Sequence, residues 1–365
     1  MGRPAGTAAV ALAAAVVLCG SVGAPVASAT AQSAQDLAGQ RVIYSYPGLV
    51  PPDTLLQRIR AGQAAGVIFF GENISSLSQI RSVVGQLRAA AAQSPVRRPL
   101  LLMTDQEGGQ VRRLPGEPVL SEKQVGLAAD PPAQARAAGT GAGDNLAGVT
   151  MNVNLAPVLD VYRRAGDLMD QFGRSYSMNA GAVSTLGGNF VSTQQATGVA
   201  ATVKHFPGLG SASAAQNTDT RAVTLPVGLS TLRNVDEAPY RTAIAAGAKL
   251  VMLSWAVYPA LDSTRPAGLS SLVVQQELRQ RNGFGGVTIT DALEAGALGS
   301  FGSTGNRAVL AARAGMDLIL ASARSVGQGD AAVNAMAAAL DGGTLDQASF
   351  AAAVARVDAL RDSLR

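Results

Sequence analysis

Short runs of Val, Ile and Leu alternate along the chain with longer, mostly Ala-rich stretches, and this alternation constrains the fold more than any other feature of the sequence. Aliphatic runs without interleaved polar positions read as strands covered on both faces. Eight occur, at 41–46 (RVIYSY), 66–70 (GVIFF), 99–104 (PLLLMT), 149–155 (VTMNVNL), 200–205 (AATVKH), 249–254 (KLVMLS), 286–290 (GVTIT) and 317–321 (DLILA). Between them, helical spacing marks 53–64, 76–93, 133–146, 181–195, 237–247, 270–281 and 304–314. A strict strand-then-helix order predicts parallel strands and an α/β fold. Eight such units in about 300 residues fit a single closed (β/α)8 barrel of the TIM type, and no Gly-x-Gly-x-x-Gly follows the first strand to favour an open doubly wound sheet. The tail at 329–365 is expected to supply one or two closing helices.

The first 29 residues carry one charge, Arg3, then an apolar run from Ala8 to Leu18, and end in Ala27-Ser28-Ala29. This pattern predicts a signal peptide at 1–29 and a barrel at 30–365, so the protein is expected to be secreted and extracellular, either free or held at the cell wall. The run is too short for a confident membrane span, and the protein is not expected to be integral to a membrane. Cys19 is the only cysteine, and Val17-Leu18 before it argues against a lipid anchor. A core free of disulfides is feasible at this length, and 47% hydrophobic with 15% charged residues is the composition of an ordinary packed domain. The net charge of +4 comes without a basic cluster, so no nucleic-acid partner is implied. A monomer is expected.

Active sites of such barrels form from the loops that leave the C-terminal strand ends. The third strand runs into Thr104-Asp105-Gln106-Glu107-Gly108-Gly109, and the fourth leads to Asn154, Asp160 and Arg174. The fifth ends in Lys204-His205 and the seventh in Asp291. A lone Asp after a strand caps the next helix about as often as it catalyses. Asp105, Arg113, Arg174, Lys204, His205 and Asp291 together, on different strands, point instead to one polar rim. Glu107 reads more readily as a structural acceptor in its Gly-rich turn, while Asp160 could equally brace the loop carrying Arg174 or touch a ligand. His205 is the only histidine and lacks partners for a metal, so no metal is expected.

Four strings, Thr104-Asp105-Gln106-Glu107-Gly108-Gly109-Gln110-Val111-Arg112-Arg113, Asn154-Leu155-Ala156-Pro157-Val158-Leu159-Asp160-Val161, Lys204-His205-Phe206-Pro207-Gly208 and Thr288-Ile289-Thr290-Asp291-Ala292-Leu293, resemble those of the glycoside hydrolase family 3 β-N-acetylhexosaminidases. The similarity runs in order from about residue 40 to residue 325. It implies a retaining glycosidase that cleaves terminal β-linked N-acetylglucosamine from cell-wall or chitin-type fragments and needs no organic cofactor. It makes Asp291 the nucleophile and gives Asp105, Arg113, Arg174, Lys204 and His205 to the sugar. Cations near Asp291 suit a carboxylate that must stay ionised to attack an anomeric carbon.

The family's acid/base is a histidine in an Asp-Ser-His string that follows Lys-His-Phe-Pro-Gly. Here Ala215-Gln216-Asn217 occupies that place, and Asn217 cannot shuttle a proton. Asp219 is the nearest carboxyl group in the loop and the candidate acid/base, able to act if the loop swings over the leaving group. A turn-stabilising role is its alternative. Trp255 stands where family members often have histidine, either as a platform for a sugar face or as a buried filler of the barrel mouth. The missing dyad leaves a second reading open, a catalytically weak or inactive barrel that binds cell-wall sugar or a protein partner.

Overall fold

The computed structural model describes residues 1–9, 11 and 32–364, with Gln32–Arg365 forming one compact unit. The expected signal peptide falls mainly on residues 10 and 12–31, outside the described residues. Among the described residues no helix is long and apolar enough to cross a membrane.

Every expected barrel strand is present and in order: β1 Val42–Tyr44, β2 Gly66–Ile68, β3 Leu101–Thr104, β4 Val153–Asn154, β5 Ala200–Phe206, β6 Leu250–Leu253, β7 Val287–Thr290 and β8 Ile319–Leu320. They lie in the order β7-β6-β5-β4-β3-β2-β1-β8, with parallel pairing throughout. A parallel bridge between Ile289 and Leu318 joins the two ends of the sheet. There Leu318 N–H donates to the Thr288 carbonyl at 2.9 Å and Thr290 N–H to the Leu318 carbonyl at 3.0 Å.

Because side chains alternate along a strand, each strand feeds two cores. Ile43, Ile68, Leu101, Met103, Val153, Leu250, Met252, Val287, Ile289 and Leu320 fill the barrel interior. Val42, Tyr44, Val67, Leu102, Val203 and Val251 face the helical layer. The predicted tail is two helices, Val326–Asp341 and Gln347–Asp362. Val357 and Leu360 of the second helix join the interior cluster. The buried Arg361 donates to the carbonyls of Pro99 at 2.6 Å and Arg98 at 3.1 Å, just ahead of β3. The last helix therefore stops the N-terminal end of the barrel and leaves the C-terminal end for the site.

Helix starts follow local capping chemistry. Asp130 accepts from Ala133 N–H ahead of Pro131–Gly148, and Ser76 from Gln79 N–H ahead of Leu77–Ala91, each satisfying a donor the helix cannot use. Three features were not expected. Two hairpins, Gln106–Gly108 with Val111–Arg112 and Val257–Tyr258 with Asp262–Pro266, decorate the rim. The predicted helix at 270–281 is wound as a π-helix over Leu272–Arg281.

Candidate active site

The first hairpin shows how Asp105-Gln106-Glu107-Gly108-Gly109 is used. Alternation sends Asp105 and Glu107 to one side and Gln106 to the other. Gln106 N–H donates to Asn154 Oδ1 at 2.9 Å, and its Oε1 accepts from the backbone of Arg113 and Leu114, so this side chain is scaffold. Gly108 and Gly109 turn with φ of +111° and +56°, and a Cβ on Gly108 would lie 2.2 Å from the Leu120 carbonyl oxygen. The turn carries Arg113 back to the rim, where its Nε is buried without a hydrogen-bond partner.

Lys204 lies near the end of β5 with its ammonium 2.7 Å from Asp105 and 2.7 Å from Glu107. Glu107 also takes both prongs of Arg174, at 2.8 Å each. Burial alone would raise the Glu107 pKa, but Arg174 and Lys204 hold the carboxyl down at about 2. Burial works against the Lys204 charge as well, and Asp105 and Glu107 more than offset it, so the ammonium titrates above its ordinary range. Glu107 is thus the hidden counter-ion that fixes two cations at the rim, as its structural reading required.

Asp160 is fully buried and resolves its two readings. Its Oδ2 lies 2.7 Å from His205 Nδ1, and its Oδ1 accepts from Leu209 N–H at 2.6 Å and His205 N–H at 3.3 Å. Its carbonyl accepts from Ser175 Oγ, beside Arg174. Asp160 therefore braces and orients the site residues without lining the cavity, and it leaves Nε2 as the His205 atom free of this pairing.

The cavity, about 300 Å³, lies at the C-terminal end of the barrel, at the small end of the range for small-molecule sites (~300–1,000 Å³). Asp105, Arg113, Arg174, Lys204, His205, Asp219 and Asp291 all line it. Asp291 is half-buried, with Oδ1 accepting from Ala292 N–H at 2.7 Å. Burial pushes its carboxyl up, His205 and Lys204 oppose this, and the charge of Asp219 adds to it. Trp255 is buried and does not line the cavity; its Nε1–H donates to the Ala292 carbonyl at 2.8 Å. The filler role, not the sugar platform, is the one its surroundings show.

Sequence reasoning passed over several wall residues. Phe70 follows β2, Glu294 follows Asp291, and Ser322 and Arg324 follow β8. Extending the strand-end rule to β2 and β8 would have found them. Beneath the site, Glu122 accepts from Val158 N–H at 2.8 Å while its other oxygen has no partner. Burial first and Glu107 second raise its pKa well above the carboxylate range. No group of three or more His, Cys, Asp and Glu among the described residues could hold a metal ion.

The family model for the glycosyl hydrolase family 3 N-terminal domain matches residues 46–360. The chain belongs to glycosyl hydrolase family 3. It is 46% identical over 350 residues to a protein of Arthroderma benhamiae named as an uncharacterized secreted glycosyl hydrolase, covering 95% of this chain and 99% of that one. Among solved structures, it resembles a family 3 β-N-acetylglucosaminidase from Paenibacillus sp. FPU-7 with a TM-score of 0.86 and 34% identity, over 92% of this chain and 63% of that one. It also resembles a β-N-acetylhexosaminidase from Beutenbergia cavernae with a TM-score of 0.82 and 32% identity, over 91% and 99% of the two chains. The chain is therefore a glycosyl hydrolase similar to the β-hexosaminidases, and it spans 63% of the length of the Paenibacillus enzyme.

Proposed function

We propose that this family 3 hydrolase is an exported, retaining β-N-acetylglucosaminidase that removes terminal β-linked N-acetylglucosamine from cell-wall or chitin-type fragments. The observation that carries the reading is that two carboxylates from separate loops, Asp291 and Asp219, line one cavity whose other ionisable groups suit a sugar. Asp105 accepts from sugar hydroxyls, and Lys204, Arg113 and Arg174 donate to them, so the ring is oriented before chemistry begins. Asp291 attacks the anomeric carbon as Asp219 gives its proton to the departing oxygen. Asp219 then takes a proton from water, which displaces Asp291 from the glycosyl intermediate and regenerates both groups. The name of the Arthroderma relative and the leader-like residues 1–29 support export.

The test is hydrolysis of an aryl N-acetyl-β-glucosaminide, with the first-formed sugar anomer read by NMR. The β anomer is expected. Release of the α anomer, or undiminished turnover by Asp291→Asn, would refute the mechanism.

A further inference from the structure

Asn217 stands where the resembled enzymes keep their histidine, and the structure shows what it does instead. Its Oδ1 accepts the Asp219 N–H at 2.9 Å. Its carbonyl accepts from the N–H groups of Thr220 and Arg221, both at 3.2 Å, and from Thr220 Oγ1 at 3.0 Å. These bonds build an Asx turn that reverses the chain around Asp219.

A second anchor comes from the loop that follows Asp291. Gly296 N–H donates to the Asp219 carbonyl at 2.8 Å, and Ala297 N–H to the carbonyl of the buried Thr218 at 3.0 Å. The two backbones meet so closely that a Cβ on Gly296 would lie 2.3 Å from the Thr220 oxygen and 2.4 Å from its carbonyl carbon. Both obstructing atoms are backbone, so no side-chain rotation relieves the clash.

We propose that Asn217 and Gly296 are positioning residues that tie Asp219 to the loop of Asp291, so that the proton donor is preset against the nucleophile and needs no loop closure. The proposal rests on Asp219 as the acid/base. It replaces the swinging loop that the sequence suggested with a fixed one, because the Asp219 backbone is pinned through both its N–H and its carbonyl. Misplacing a catalytic group by about 1 Å costs on the order of 10²-fold in rate. That cost falls on substrates whose leaving group needs the proton.

The experiment compares kcat and KM of wild type, Asp219→Asn, Gly296→Ala, Asn217→Ala and Asn217→Asp on a β-linked N-acetylglucosamine disaccharide and on the dinitrophenyl glycoside. Gly296→Ala and Asn217→Ala are expected to lower disaccharide kcat/KM about 10²-fold and to spare kcat/KM of the dinitrophenyl substrate, which reports only a first step that needs no proton. Asn217→Asp keeps the accepting oxygen and should recover most of the loss. Wild-type disaccharide kcat/KM in Gly296→Ala overturns the proposal. So does an equal loss of kcat/KM on both substrates in Gly296→Ala and Asn217→Ala, or an Asn217→Asp no better than Asn217→Ala. If Asp219→Asn itself cleaves the disaccharide normally, the acid assignment has failed, and the positioning proposal falls with it. A disaccharide-specific loss in Asp219→Asn beside a harmless Gly296→Ala overturns the positioning alone.

Discussion

Replacing Glu107 with Gln should destabilise the barrel at neutral pH and do so progressively less as the solution is acidified. Glu107 is 2% exposed, binds Arg174 through two bonds of 2.8 Å and lies 2.7 Å from Lys204. Its loss leaves Arg174 without this carboxylate and Lys204 with Asp105 alone among its ion pairs. Removing one partner of a buried ion pair costs about 3–5 kcal/mol. The carboxyl's descent from 4.5 to about 2 gives an independent figure of roughly 3 kcal/mol, at about 1.4 kcal/mol per tenfold. The pKa is depressed by folding, so this stability is present above pH 4.5 and is lost as the pH falls toward about 2. At about 2 °C per kcal/mol for a large domain, Tm should drop by roughly 6–10 °C at neutral pH. Thermal melts followed by circular dichroism at neutral pH and near pH 3 would read both gaps. A gap that is unchanged by acid, or below about 1 kcal/mol at neutral pH, would refute the counter-ion role.

Asp291→Asn should abolish turnover of the activated aryl glycoside while retaining the wild-type melting curve, and residual wild-type kcat would remove Asp291 from the mechanism. Because the Asp219 charge helps to raise the Asp291 carboxyl, Asp219→Asn should move the acid limb of kcat/KM for the activated substrate to lower pH; a stationary limb would break that electrostatic link. Asp160→Asn turns an acceptor of three donors partly into a donor, so stability should fall by about 1–3 kcal/mol and sugar KM should rise, and an unchanged melt with unchanged KM would count against it. Installing Ala215→Asp with Asn217→His should reduce disaccharide cleavage, since the Asx acceptor for Asp219 N–H is lost; a gain would show that the loop still admits a histidine acid.

The barrel was legible because its strands are buried on both faces and therefore read as unbroken aliphatic runs, from Val42 to Leu320. The rim was legible because Asp105 and Asp291 follow their strands directly and Lys204 lies near the end of β5, where apolar runs stop abruptly at charge. Partnership was harder to see. Asp160 and His205 meet across 45 positions, and Glu107 and Arg174 across 67. Such separations carry no local periodicity. Asn217 looked like the loss of a proton carrier, and only the bonds around it reveal a turn hub. Gly296 gave no signal at all, since its value lies in backbone proximity to Thr220.

Trp255 and His205 are the only tryptophan and the only histidine in the chain. The indole Nε1–H is bonded to the carbonyl of the residue after Asp291, so the tryptophan emission of the whole molecule originates beside the Asp291 loop. The imidazole, held through Nδ1 by Asp160, borders the same cavity and will give one uncrowded pair of ring-proton resonances. Fluorescence can therefore follow ligand occupancy from an indole bonded to the Asp291 loop while NMR follows it from β5. Neither signal is shared with a second residue of its kind, and both are intrinsic to the unmodified chain.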